Sequence, residues 1–269
     1  MEFCFSFLGG DARQRYAAES LRREGHRVYT RFVPGLDDCG KLADGNIVIL
    51  PTPVLDAEGR IRGTALTPKE AVELFSGDAA VFGGTTAGLQ QIFPTITDTS
   101  QWEELAIANA VLTAEGAIGL AVDAIPGTVQ GGRFLVIGAG RIGLCLARKL
   151  KALGGHVTVT ARKSRDLAVI EALGLRADLT GVYQFGLDSY DCVCNTVPAA
   201  VFTDAQLGEF PIGCPMIELA SAPGGFSREA CEKSGLVYIS GSALPGRTAP
   251  KAAGENLARA LLRHLRSQG

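Results

Sequence analysis

The residues most ready for chemistry are Gly138-Ala139-Gly140-Arg141-Ile142-Gly143, which follow the apolar run over 134–137 and precede a helical pattern. In a G-x-G-x-x-G of this kind the first glycine permits a tight turn, the second lets a diphosphate approach the backbone, and the third lets helix and strand pack closely. Free N–H groups at the helix start then bind the phosphates. The next strand, over 156–160, runs into Ala161-Arg162-Lys163-Ser164. A ribose-binding carboxylate is expected about 20 residues after the glycines, but two cations and a hydroxyl stand there instead. Arg162 suits adenine stacking and a 2′-phosphate, with Ser164 donating to the same group, so NADP is preferred and NAD remains possible. Asn195, Thr196 and Val197 end a further strand, and Ala220 ends the one after it, so these four complete the nucleotide crevice.

Substrate groups are sought at the other polar strand and helix ends. Asp11 and Arg13 follow the first strand; Thr113 and Glu115 interrupt a long helix; Ser221, Gly224 and Gly225 follow the strand over 216–220; Arg247 and Lys251 open the final helix. Three cations in one crevice imply an anionic, carboxylated substrate. Glu115 and Lys251 are the candidate catalytic residues, with Glu115 as the one evident base. His26, His156 and His264 lie at strand entries or on the last helix, so the His–carboxylate pair of many dehydrogenases is missing. There is no G-x-S-x-G, H-E-x-x-H or C-x-x-C, and no metal site is expected. The reaction must need little acid–base help.

Alternating strand and helix patterns position these residues, the signature of parallel α/β architecture. Two Rossmann-like doubly wound parallel-sheet domains are expected, joined by long interdomain helices. The division is residues 1–100, an N-terminal α/β domain on the substrate or partner side; 101–126, an interdomain helix; 127–248, the NAD(P)-binding Rossmann domain; and 249–269, a C-terminal helix packing back on the first domain. Hinges fall near 124–131 and 246–250, and the stretch over 51–68 reads as a surface excursion.

Composition narrows the function class. The chain has 269 residues, 46% hydrophobic and 20% charged, enough for a core and against disorder. A net charge of -2 argues against a nucleic-acid partner, and 7% aromatic residues against a stacking groove. Seven scattered cysteines read as reduced and structural, Cys192 and Cys194 sharing one strand face. The apolar stretch over 106–125 carries Asn109, Glu115 and Asp123, which makes it a poor membrane span, and the N-terminus lacks the basic region of a signal peptide.

Seven segments together carry a resemblance: residues 9–14 with Gly9-Gly10-Asp11-Ala12-Arg13, then 113–116, 136–143, 161–164, 195–198, 219–225, and 244–254 with Leu244-Pro245-Gly246-Arg247 and Ala249-Pro250-Lys251. In these the chain resembles the dipicolinate synthase A chain family, nearly end to end. The resemblance implies a nicotinamide-dependent dehydrogenase subunit that oxidises a dihydrodipicolinate-type intermediate to dipicolinate during sporulation. It also implies a separately encoded, flavoprotein-like second subunit as partner and a cytoplasmic location in the mother cell. Arg13, Arg247 and Lys251 would then hold the two carboxylates, residues 221–225 would line the ring, and homo-oligomers are possible. The stretch over 51–68 departs from the family pattern. Two alternatives stay open: another two-domain NADP dehydrogenase (alanine-dehydrogenase-like or methylene-tetrahydrofolate-like), or a non-catalytic nucleotide-binding subunit of a flavoprotein complex.

Overall fold

The computed structural model describes residues 2–268. Two compact units divide the chain: unit 1 holds Met1–Asn109 with Pro245–Gly269, and unit 2 holds Ala110–Leu244. Unit 1 begins with β1 (Cys4–Leu8), α1 (Ala12–Arg23), β2 (Arg27–Arg31), β3 (Ile47–Ile49), α2 (Pro68–Val72), β4 (Ala80–Gly83) and β5 (Thr97–Asp98). These strands form one parallel sheet in the order β2-β1-β3-β4-β5. Helix α3 (Glu103–Ala124) leads into unit 2, where β6 (Arg133–Ile137), α4 (Arg141–Ala152), β7 (His156–Ala161), α5 (Ser164–Ala172), β8 (Arg176–Leu179), β9 (Cys192–Asn195), α6 (Asp204–Leu207), β10 (Pro215–Glu218), α7 (Arg228–Lys233) and β11 (Val237–Ser240) follow. The second sheet is also parallel, in the order β11-β10-β9-β6-β7-β8. Its strand order reverses between β6 and β9, and ligands of doubly wound sheets bind outside the carboxyl ends at such a point. Helices α8 (Leu244–Thr248) and α9 (Pro250–Ser267) end the chain.

Local chemistry explains the elements. β1 and β3 are near-continuous apolar runs, as strands covered on both faces must be. Asp11 opens α1 through a reciprocal capping box with Gln14, and Thr67 does the same for α2 with Glu70. Helix α9 lays Leu257, Ala258, Leu261 and Leu262 against Phe5, Phe7, Ala17 and Leu21 of unit 1. The approach to α1 is close enough that a Cβ on Gly254 would overlap the Arg13 carbonyl oxygen.

Three expectations change. Helix α3 is unbroken through residues 113–116. Thr113, Ala114 and Gly116 are buried there, so packing overrides the weak helix propensity of threonine and glycine. The boundaries expected at 126 and 248 fall instead after Asn109 and Leu244. Ala114, Ala117, Ala121 and Ile125 belong to the core of unit 2, which draws the second half of α3 into it. The stretch over 51–68 is no surface excursion: Val54 and Ile61 are fully buried against Leu8 and Leu50, and Gly10 N–H donates to the Arg62 carbonyl. Alternation had hidden this segment because its two plugs lie in an irregular tongue closed by the Leu55–Ile61 bridge. Helix α3 is long and apolar enough to cross a membrane, with a mean hydropathy of 1.7 in its best window, yet Leu105 and the three alanines are packed into the cores.

Candidate active site

The glycine loop leaves β6 and enters α4 as the motif demands. Gly138 sits at φ +100°, a left-handed conformation that favours glycine, and its N–H donates to the Thr160 carbonyl of β7. A Cβ on Gly143 would overlap the Gly138 carbonyl oxygen, whereas one on Gly140 would meet open space. Gly140 is the N-cap of α4 and supplies no side-chain cap, so the first N–H groups of the helix are left for an anion. The loop is therefore tight where strand and helix meet and open where a diphosphate must approach. A pyridine nucleotide fits these residues.

A groove of about 400 Å³ runs from this loop, lined by Gly138, Ala139, Gly140, Ala161, Arg162 and Lys163 on one side and by Thr196 to Val201 on the other. Arg162, Lys163 and Ser164 are exposed at the carboxyl end of β7. Asp166, in the first turn of α5, also lines the groove. A carboxylate is thus within the nucleotide site two residues beyond the turn where none stands. Arg141 and Ile142 occupy the first turn of α4, Arg141 facing a separate hollow on that helix with Cys145, Arg148 and Lys149.

Under the far wall lies a carboxylate that sequence reading passed over. Glu218 ends β10 beside Asn195 of β9 and is only 6% exposed. Asn195 Nδ2 donates to both of its oxygens at 2.8 and 3.0 Å, Ala220 N–H donates at 2.8 Å and Gly225 N–H at 2.7 Å. Every contact is a donor, so the geometry suits an ionised carboxylate held by neutral groups. Asn195 Nδ2 also donates to the Val197 carbonyl and its Oδ1 accepts from Val197 N–H. Tyr183 donates from its hydroxyl to the Val201 carbonyl at 2.6 Å, and Val201 N–H donates to the Gly225 carbonyl. The wall over 196–201 and the turn over 219–225 are therefore pinned to one buried charge. The signal for Glu218 was a lone charged residue in an otherwise apolar strand.

In unit 1, Arg13 is oriented by Asp11, whose carboxylate takes its Nε and Nη2 at 2.9 and 2.7 Å, and by the Thr52 carbonyl at 2.6 Å. Burial raises the Asp11 pKa, but the hydrogen bonds and charge of Arg13, with help from Arg62, outweigh this and leave it below the ordinary value. The guanidinium lines a hollow of about 170 Å³ with Gln14, Thr52, Thr99, Ser100 and Asn109. Gly246 lies against Arg13, so α8 closes on it, while Arg247 and Lys251 are exposed. In unit 2, Thr113 is buried in α3 and Ser221 is exposed, with Gly224 and Gly225 buried against Glu218 and Asn195. Glu115 accepts from Lys149 Nζ at 2.8 Å. Lys149 stands eight residues beyond Arg141 on α4, about 12 Å along the helix from the glycine loop. That ion pair gives Glu115 a partner away from the nucleotide groove. Among the described residues no group of three or more His, Cys, Asp or Glu could hold a metal ion.

Residues 133–173 match the family described as pyridine nucleotide-disulphide oxidoreductase, which covers β6, the glycine loop and the Arg162 turn. The dipicolinate synthase A chain of Bacillus subtilis (strain 168) is 29% identical over 94% of this chain and 93% of its own length. The chain resembles that dipicolinate synthase component over nearly its whole length. The solved dipicolinate synthase A chain of Bacillus halodurans superposes with a TM-score of 0.86 at 28% identity, covering 98% of this chain and 97% of that one. The solved Bacillus subtilis counterpart gives 0.85 at 28%, covering 98% and 96%. With the two doubly wound sheets, these findings make the chain an oxidoreductase-type fold built for a pyridine nucleotide.

Proposed function

We propose that this chain is the dehydrogenase subunit of a dipicolinate synthase, oxidising a dihydrodipicolinate-type dicarboxylate to dipicolinate. The observation that carries the reading is the full-length similarity to dipicolinate synthase relatives together with an intact glycine loop. The bound nicotinamide nucleotide supplies the hydride acceptor. Oxidation removes one hydride and one proton from the substrate ring and leaves an aromatic pyridine, so much of the driving force resides in the substrate. A strong protein base is dispensable, in keeping with the missing His–carboxylate pair. Arg13, pre-oriented by Asp11 and the Thr52 carbonyl, takes one substrate carboxylate. Arg247 and Lys251 supply the charge for the other. Glu115, engaged by Lys149, is left out of this reading. NADP is the preferred nucleotide because Arg162 and Lys163 are exposed at the β7 turn to meet a 2′-phosphate, with Ser164 beside them. A flavoprotein-like second subunit is the expected partner, in the cytoplasm of a sporulating mother cell.

The experiment is nicotinamide reduction by the purified chain, alone and with the candidate flavoprotein, supplied with the product of a dihydrodipicolinate synthase and either NADP or NAD. Pyridine dicarboxylate formed with NADP is the expected result. Nucleotide binding without product in any combination would overturn the synthase reading and leave the other dehydrogenases or a non-catalytic binding subunit.

A further inference from the structure

The nucleotide groove has a direction. The Arg162 turn at β7 claims the adenosine end, and the glycine loop at β6 claims the diphosphate. The nicotinamide end then falls on the remaining side of the sheet, toward β9 and β10. Behind that part of the wall lies Glu218, whose side chain meets no cation among its hydrogen-bond partners. Its charge is separated from the groove by one layer of neutral groups. One path runs through Asn195 Nδ2 to the Val197 carbonyl, the other through Gly225 to Val201, and both Val197 and Val201 line the groove.

A buried carboxylate held only by neutral donors is costly to keep charged, and a neutral acceptor could satisfy the same donors if holding the wall were its whole purpose. An oxidised nicotinamide ring carries a positive charge, and a reduced one is neutral. A fixed negative charge behind the ring therefore distinguishes the two redox forms, and Glu218, only 6% exposed, is little screened by solvent. We propose that Glu218 sets the redox preference of the site, holding the oxidised nucleotide more tightly than the reduced one. The groove is thereby loaded with the hydride acceptor and releases the nucleotide once hydride has been taken. Glu218 is a positioning residue for the wall as well, but only the charge discriminates between the two forms. This inference rests on the nucleotide reading above.

The test is equilibrium binding of NADP, NADPH, NAD and NADH to the full chain, by calorimetry and by nicotinamide fluorescence, before and after Glu218→Gln. In the parent chain the oxidised form of the bound pair is expected to bind better relative to the reduced form than in the variant. The ratio of the two dissociation constants should shift by about fivefold or more toward the reduced form. A loss shared equally by both forms, with the ratio unchanged, would mean a wall-holding role only and would overturn the inference alone. Absence of binding to the parent chain would overturn the nucleotide reading and this inference with it. Because Glu218→Gln sets an amide against two backbone N–H donors, Glu218→Asp provides a second variant that keeps the charge beside Asn195. It keeps one carboxylate and one amide in the same pocket, and recovery of the parent ratio is expected. A ratio in that folded variant equal to that of Glu218→Gln, which carries no charge, would overturn the inference.

Discussion

At the scale of single residues, the nucleotide turn offers the sharpest tests. Arg162→Ala is expected to raise the KM for NADP about tenfold or more and to leave that for NAD within about threefold, because only the former carries the phosphate that a guanidinium can bind. Asp166→Asn should act in the opposite sense, improving NADP relative to NAD by removing a carboxylate from the same groove. Steady-state kinetics with both nucleotides decides each. Glu115→Gln should leave turnover within about threefold and thermal stability nearly unchanged, since exposed ion pairs contribute roughly 0–1 kcal/mol. A larger fall in turnover would restore Glu115 as the base. The glycine loop and the place of Arg162 at the end of β7 were legible in the sequence because both are local, fixed by chain neighbours and by the strand before them. Glu218 and Tyr183 were not, since what they do depends on partners brought across the sheet or from the next loop.

At the scale of elements, helix starts and close contacts set the tolerances. Asp11 caps α1 and holds Arg13, with a pKa below its ordinary 3.8. A carboxyl lowered on folding adds stability that is full above its unfolded value and is lost as pH falls through its folded value. Asp11→Asn should therefore cost no more than about 1 kcal/mol near neutrality, and the gap from the parent chain should close as the pH drops below 3.8. Urea titrations of both proteins across that range measure it. Gly143→Val should abolish nucleotide binding while leaving unit 1 folded, because the added side chain forces α4 away from the loop. Periodicity located most strands and the long helices, since each buries a regular face. It failed in the tongue over 51–68, where Val54 and Ile61 are buried by loop geometry that no repeating pattern encodes. It also placed a break at Thr113 to Gly116 that the surrounding alanine packing does not permit.

At the scale of the whole molecule, the first unit is made from both ends of the chain and the second from its middle. Removing residues 245–269 would strip α9 from Phe5, Ala17 and Leu21. That truncated chain is expected to lose the folded signal of unit 1 and to retain nucleotide binding by unit 2, as read by circular dichroism and nicotinamide fluorescence. Loss of both together would mean that the two units fold as one. The same arrangement has a consequence for synthesis. Chains emerge from the ribosome with their amino end first, yet here the earlier of the two units must wait longest. Unit 2 has all of its residues once position 244 has cleared the exit tunnel, whereas residues up to 109 keep an uncovered apolar face until residues 245–269 have been added. During that interval the nascent chain is a natural client for a chaperone. A message that stops before codon 245 yields a product with a finished nucleotide-binding unit and an exposed, degradable first unit.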